Sequence, residues 1–181
     1  MFKFDSQQSG RSMVEMLGVL AIIGVLSVAG IAGYSKAMAK HKQTKLLEQM
    51  SLLVANTRAA YANQPNYAGL TNSVAINLSL VDDNMKVITS SGTFDPNQIK
   101  NSYGGDVTIN TYGTTPTKFF ITITNIPAEA CGMLITTDWG YNDNNPLEIY
   151  TINNTITSDF SLIASNCKNG GSTNTIKMQH H

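Results

Sequence analysis

The chain opens with a short polar stretch and then runs from Met16 to Gly33 for eighteen residues without a charged side chain. This segment is rich in Val, Leu and Ile, and it is long enough to cross a bilayer as a helix. Glu15 stands at its head, between Val14 and Met16. An ionisable group at the edge of hydrocarbon is costly unless it is paired, so Glu15 is a candidate functional residue.

The helical pattern continues beyond the apolar run. From Tyr34 to Asn63 the chain has no Pro or Gly, and apolar residues recur at spacings of three and four. This stripe predicts the buried face of an amphipathic helix. Its members are Leu46, Leu47, Met50, Leu53, Val54, Thr57, Ala60 and Tyr61. Because Gln64-Pro65-Asn66 should end the helix, we predict one helix from about Ser12 to Ala62, roughly 75 Å long.

The remainder, residues 64–181, is predicted to be a globular head that packs on residues 11–63 as a spine. Its clearest strand is Lys118 to Thr124, and Tyr103 to Thr124 predicts an antiparallel hairpin with a Thr-rich outer face. Residues 65–100 are interpreted as a polar connecting region with short apolar islands. The later elements predicted are a helix from Pro127 to Leu134, a strand over Leu147 to Ile152, a helical turn or loop over Ser158 to Asn166, and a strand over Thr173 to Met178. The fold class is therefore α+β.

Charge is unevenly distributed along the chain. Residues 35–64 carry five cations and one anion, whereas the chain after Pro65 carries five lysines and nine acids. Lysines crowded in one stretch without interleaved aromatics do not indicate nucleic-acid binding. By the positive-inside tendency they would place the C-terminal side in the cytoplasm, but that rule weakens for long exported domains. The pair Cys131 and Cys167 favours an oxidising compartment and a disulfide, so we predict export.

Catalytic motifs are missing from the sequence. His41, His180 and His181 form no metal or base constellation, there is no nucleophile or phosphate-loop motif, and we assign His180 and His181 no role. A turn-rich segment holds Asp138, Asp143, Asn144 and Glu148, which are close enough in sequence to bind a hard cation. A solvated acidic turn is the favoured interpretation. The sequence therefore predicts no enzyme, no cofactor and no metal site.

The segment from Gly10 to Glu15, ahead of the apolar run, resembles the class III signal of type IV pilins and pseudopilins. The resemblance implies that prepilin peptidase removes residues 1–10 by cutting between Gly10 and Arg11, methylates the new N-terminus, and leaves Glu15 as the fifth mature residue. Arg11 departs from the apolar residue usual at the first mature position. Two other interpretations are an ordinary signal peptide cut after Ala37-Met-Ala39 and a plain membrane anchor, and both leave Glu15 without a role.

The head extends the resemblance to type IVb pilins, including the thin-pilus subunits of conjugative systems. The similarity rests on Asn101-Ser-Tyr-Gly-Gly105, a strand pair, Asn125-Ile-Pro127 leading to Cys131, and Cys167 before a last strand. The short leader departs from the longer leaders usual in that subclass. A disulfide between the two cysteines would close the loop Gly132 to Asn166, which we predict on the exposed side of a filament.

The resemblance implies a helical homo-oligomer that is inserted in the inner membrane through Met13 to Gly33 and then built by a pilus assembly platform into an extracellular fibre. It also implies that Glu15 pairs with the N-terminal amine of a neighbouring subunit. Arg11 lies four residues from Glu15 and offers a second partner. The alternatives are a pseudopilin or minor pilin of a secretion-like machine and a membrane-anchored periplasmic binding domain that never polymerises.

Overall fold

A computed structural model describes most of the chain. The described residues are 13–111, 113, 116–137, 139, 150–157, 160–169 and 173–180. One compact unit ends at His41 and another begins at Lys42. Among the described residues, the first unit is the N-terminal part of a long helix, and the second holds the rest of that helix and every other element.

The long helix, α1, runs from Met13 to Tyr61. The predicted C-terminal end at Ala62 is therefore confirmed within one residue, and the predicted start at Ser12 falls just outside the described residues. A run of good helix formers without proline favours this continuity. The Gln64 N–H donates to the Tyr61 carbonyl at 2.9 Å, and Pro65 then prevents another turn.

The remaining elements form the head. Its helices are α2 (Asn72–Asn77), a 3₁₀ helix (Asp83–Met85), α3 (Ala128–Thr136) and α4 (Phe160–Asn169). Its strands are β1 (Lys86–Ile88), β2 (Phe94–Lys100), β3 (Asp106–Thr111), β4 (Phe119–Ile126), β5 (Tyr150–Ile152), β6 (Thr155–Thr157) and β7 (Asn174–His180). The predicted α+β fold, with a long N-terminal helix, an antiparallel sheet and one disulfide, is confirmed.

The strands form one antiparallel sheet in the order β1-β2-β3-β4-β7-β5-β6. The predicted hairpin is the pair β3 and β4, in register from Val107 opposite Ile123 to Thr111 opposite Phe119. The pair Val107 and Ile123 points into the core, whereas the next pair along the hairpin, Thr108 and Thr122, faces outward. The hairpin and its Thr-rich outer face are therefore confirmed. Both edge strands have three residues, which limits pairing with another sheet.

The interpretation of residues 65–100 as a connecting region is wrong. This segment forms α2, the 3₁₀ helix, β1 and β2. Lys86 is opposite Ile99, but Ile88 is opposite Phe94, so β2 has extra residues between these pairs and bulges there. The bulge contains Pro96, a residue that a regular inner strand would not tolerate. The proline obscured the strand in the sequence.

The Asn72 side chain connects this bulge to β3. Its Nδ2 donates to the carbonyls of Asn97 at 2.9 Å and Val107 at 3.1 Å, and its Oδ1 accepts from the Ile109 N–H at 2.8 Å. The direct pairing of β2 with β3 includes only Ile99 with Val107 and Lys100 with Asp106. Asn72 therefore satisfies backbone groups that the bulge leaves outside the ladder.

The C-terminal elements follow the predicted order. The predicted strand 147–152 is described from Tyr150 as β5, the predicted helical turn is α4, and the predicted last strand is β7. β6 was not predicted. Asn153 and Asn154 join β5 to β6 with φ values of 49° and 69°, the conformation of a tight hairpin turn that asparagine tolerates. A two-asparagine turn was thus the overlooked signal.

The core is built where the stripe of α1 meets the sheet. Leu46, Met50, Leu53 and Val54 are at most 3 % exposed and belong to the same cluster as the inner residues of β3, β4 and β7. The predicted stripe is therefore confirmed for most of its members. Ala60 is an exception, because it is exposed and lines an open cleft near the end of α1.

Candidate functional site

The large apolar side chains in the apolar half of α1 are exposed in the single chain. Its large apolar side chains from Met13 to Ile31 are 53–85 % exposed. By length and composition α1 is the one described helix that could cross a membrane, and its most apolar 18-residue window has a mean hydropathy of 2.4 with no part buried. Fully burying one such side chain gains about 1.5–3 kcal/mol. This surface therefore has a strong tendency to be covered by lipid or by protein.

Glu15 lies in the first turn of α1 and is exposed. The helix dipole favours a carboxylate at this end. Within the described part of the chain, its carboxylate has no hydrogen bond or ion pair. Gly10 and Arg11 lie outside the described residues, so the cleavage site and the pair between Arg11 and Glu15 stay predictions.

Polar contacts join α1 to the head beside the apolar stripe. Gln49 is 2 % exposed, and its Oε1 accepts from the Ser102 N–H at 3.1 Å. The Ser102 hydroxyl donates to the Lys42 carbonyl at 2.9 Å, and Gln43 Nε2 donates to Glu129 Oε2 at 3.1 Å. Sequence reasoning missed Gln49 because a glutamine inside an apolar stripe looks like an interruption. Its role depends on a turn that is distant in sequence.

That turn contains the segment Asn101 to Gly105. Asn101 Oδ1 accepts from the N–H groups of Tyr103 at 2.8 Å and Gly105 at 3.2 Å, while its Nδ2 donates to the Thr124 carbonyl at 2.9 Å. Asn125 has a φ of 59°, and its Nδ2 donates to the Tyr103 carbonyl at 2.8 Å. The two segments that carried the resemblance are thus bound to each other, and together they position α1 through Ser102.

Gly105 gives a test of this packing. A Cβ at Gly105 would overlap the Thr124 carbonyl and lie 2.7 Å from Asn125 Cβ. We expect Gly105→Ala to lower the free energy of unfolding by about 3 kcal/mol, because the backbone must move to admit one methyl group. Thermal and denaturant unfolding of the full chain in detergent measures the change.

Gly132→Ala is the matched control. Gly132 lies inside α3 and has open space where a Cβ would be placed. Alanine there should raise stability by as much as about 1 kcal/mol. Equal effects of the two substitutions would show that the close approach at Gly105 is unimportant.

The disulfide between Cys131 and Cys167 joins α3 to α4. The Cα atoms are 5.7 Å apart, and the two residues are 0 % and 3 % exposed. The predicted pairing is therefore confirmed. The bond is a buried structural link rather than an accessible redox pair, and it ties the two helices of the C-terminal part of the head together.

His180 is a core residue that the sequence analysis left without a role. It is 0 % exposed at the end of β7, opposite Phe119 of β4, and the two rings stack with centroids 5.1 Å apart. The Trp139 ring packs nearly at right angles to the His180 ring, with the two ring centroids 6.2 Å apart. Burial, with the nearby Arg58 guanidinium, lowers the pKa of His180 to about 3. Ile176, Met178 and His180 stand two residues apart along the strand, and this spacing indicates that the His180 side chain points into the core.

The lowered pKa predicts loss of stability in acid. The native state keeps His180 neutral down to about pH 3, whereas the unfolded chain protonates it near pH 6.5. The contribution of neutral His180 to the free energy of unfolding is therefore complete above about pH 6.5. It is lost as the pH falls toward 3, and the free energy of unfolding is about 3 kcal/mol lower at pH 4.5. His180→Phe keeps an aromatic ring but cannot be protonated, so its unfolding free energy should vary less with pH. Exposed His41→Phe is the control and should preserve the wild-type slope.

Metal binding finds no support among the described residues, where no group of three His, Cys, Asp or Glu side chains could hold an ion. Asp138, Asp143, Asn144 and Glu148 lie outside these residues, so the acidic turn stays a prediction. Trp139 in the same segment is described and buried, with its indole N–H donating to the Leu134 carbonyl at 2.9 Å. Part of this turn thus belongs to the core.

The described chain thus has an exposed apolar helix with an acid in its first turn, and that helix continues into a stripe that packs into a disulfide-closed α+β head. Residues 39–180 match the family model described as PilS N terminal. The chain belongs to this family, which places it among the type IVb pilins.

Two curated proteins give an independent comparison. Both are the major structural subunit of bundle-forming pilus, one from Escherichia coli O127:H6 (strain E2348/69 / EPEC) and one from Escherichia coli O111:H-. Each is 24 % identical to the chain over 134 residues, which is 74 % of this chain. The chain spans 66 % of the length of these relatives.

Proposed function

We propose that this chain is a structural subunit of a type IV pilus and polymerises through its N-terminal apolar helix. The observation that carries the proposal is the exposed apolar half of α1 with Glu15 in its first turn, continuous with the half that packs into the head. In a filament the apolar halves of neighbouring subunits cover one another, and the heads form the surface. The relatives, which are named as pilus subunits, support the same role.

Before assembly the chain is anchored in the inner membrane through Met13 to Gly33. Prepilin peptidase cuts between Gly10 and Arg11, and the assembly platform then transfers the subunit to an extracellular fibre. Glu15 pairs with the N-terminal amine of a neighbour and sets the axial register. The exposed helix surface and the carboxylate, which has no partner within the described residues, are the features that support this sequence of events. The role is structural and needs neither catalysis nor a cofactor.

N-terminal sequencing of the mature chain tests the processing step. A sequence beginning at Arg11 supports the proposal, because only that cut leaves Glu15 beside a free amine. A mature chain beginning at Lys40 would identify a removed signal peptide, and one beginning at Met1 would identify a plain anchor. Either result would eliminate the pilin mechanism.

Electron microscopy of sheared surface material tests the assembly step. We expect long fibres in which mass spectrometry identifies this chain as the principal component. A trace amount in fibres made of another protein would favour a minor pilin or pseudopilin. Membrane-bound chain without any fibres would favour an anchored binding domain.

A further inference from the structure

The helix carries a group of lysines immediately after the apolar segment. Lys36, Lys40 and Lys42, here named the lysine collar, are exposed. Tyr34, 68 % exposed, separates them from Gly33 at the end of the apolar run. Lys42 Nζ also lies 6.0 Å from the centre of the Tyr103 ring. Over residues 35–64 there is one acid, Glu48, so the segment has an excess of positive charge.

The collar lies on two opposite sides of the helix rather than in a single stripe. At about 100° per residue, Lys40 lies near Lys36, whereas Lys42 lies about 200° around the axis from Lys40. A protein that docked on one face would leave part of this charge without a contact. The three lysines also span only about 9 Å along the axis, and their long side chains can reach further toward the membrane. A thin charged layer that can be reached from both sides of the helix fits this distribution.

We propose that the lysine collar binds the anionic headgroups of the phospholipid leaflet at the Gly33 end of the apolar helix. This inference rests on the proposed membrane-anchored state. Tyrosine at the end of an apolar span is typical of a membrane–water interface, and long lysine side chains next to it can reach the phosphates of the headgroups. Each lysine held near an anionic surface favours the bound state about fivefold, so three lysines together favour it about a hundredfold. The collar thus holds the chain in the leaflet until assembly supplies other contacts.

Residue-resolved acylation of lysines tests the proposal. The full chain is reconstituted in vesicles of phosphatidylcholine alone and in vesicles of phosphatidylcholine mixed with phosphatidylglycerol. A water-soluble amine-acylating reagent is added, and mass spectrometry measures each lysine. Acylation at Lys36, Lys40 and Lys42, normalised to Lys100 in the same molecule, should fall about fivefold in the anionic vesicles. Dividing by the acylation of Lys100 corrects for chains whose heads face the vesicle interior, where the reagent does not reach them. High salt screens the attraction between lysines and headgroups, so it should restore acylation.

Lys118 in the head is the internal control, and its acylation should be the same in both vesicles. Flotation of the chain with vesicles reports anchoring separately. If the chain floats with both vesicles and the collar is acylated equally in both, the inference is wrong while the anchoring stands. If it floats with neither, the proposed membrane anchoring fails, and the inference fails with it. Protection that appears also in neutral vesicles and grows with the protein-to-lipid ratio would assign the collar to a second copy of the chain.

Discussion

Glu15→Ala is expected to leave membrane insertion and cleavage after Gly10 intact while nearly eliminating fibres. In the proposed filament the carboxylate lies in an apolar shaft and neutralises the N-terminal amine of a neighbour. Removing one member of a buried ion pair costs about 3–5 kcal/mol, because the other charge stays buried without a partner. That cost lowers the association constant by a factor of at least about a hundred. Sheared-fibre yield, compared with the amount of mature chain in the membrane, measures the effect.

Two variants isolate the role of the carboxylate. Glu48→Ala removes an exposed carboxylate from the head-packing half of the same helix, and fibre yield should stay normal. Arg11→Phe should also be tolerated, because the terminal amine remains as the partner of Glu15. Normal fibres from Glu15→Ala would mean that the acid serves only the peptidase signal. A loss of fibres with Arg11→Phe would make the guanidinium the required partner.

The double variant Cys131→Ser/Cys167→Ser is expected to have the second large effect. The bond joins residues 36 apart in the chain. On the chain-entropy model, closing a loop of that size stabilises the folded state by about 3–4 kcal/mol. Removing it should lower the unfolding temperature of the head by roughly 10 °C. Thermal unfolding of the full chain in detergent, monitored by circular dichroism, gives the change.

Reduction supplies the control for this variant. Wild-type chain that has been unfolded, reduced and refolded in reductant should unfold at the temperature of the double variant, and reductant should not affect the variant itself. Equal unfolding temperatures for oxidised wild type and the variant would show that the link contributes little to stability. A variant that falls below reduced wild type would indicate a packing cost of the serines at buried positions.

The parts of the fold that the sequence predicted are those with strong local periodicity. α1 follows from a long apolar run and a stripe at helical spacing, and the β3–β4 hairpin follows from alternating Ile and Thr residues. The cysteine pair was predicted because two cysteines in a chain expected to be exported allow a single intramolecular partner choice. These signals are each contained in one segment or one residue pair, so no tertiary information is needed to interpret them.

The features that the sequence did not predict depend on contacts between distant segments. β2 contains Pro96, and only the bulge opposite β1 and the Asn72 side chain make that proline compatible with a strand. Gln49 is buried because Ser102 meets it, and His180 is buried because Phe119 and Trp139 enclose it. Local pattern reasoning assigns such polar residues to the surface. Glu15 could be singled out because the cost of a charge beside an apolar segment is itself local, and its role stays a prediction.

In the proposed export of the chain, the position of β7 determines when the described sheet can close. β7 is the last described strand along the chain, yet it is an inner strand of the sheet, between β4 and β5. Until residues 174–180 have crossed the membrane, β4 lacks one neighbour and β5 with β6 is an isolated hairpin. On this proposal the described sheet closes only after β7 has been translocated. A chain that stalled before β7 had crossed would keep this sheet open, and it would then have no closed head to contribute to the proposed filament.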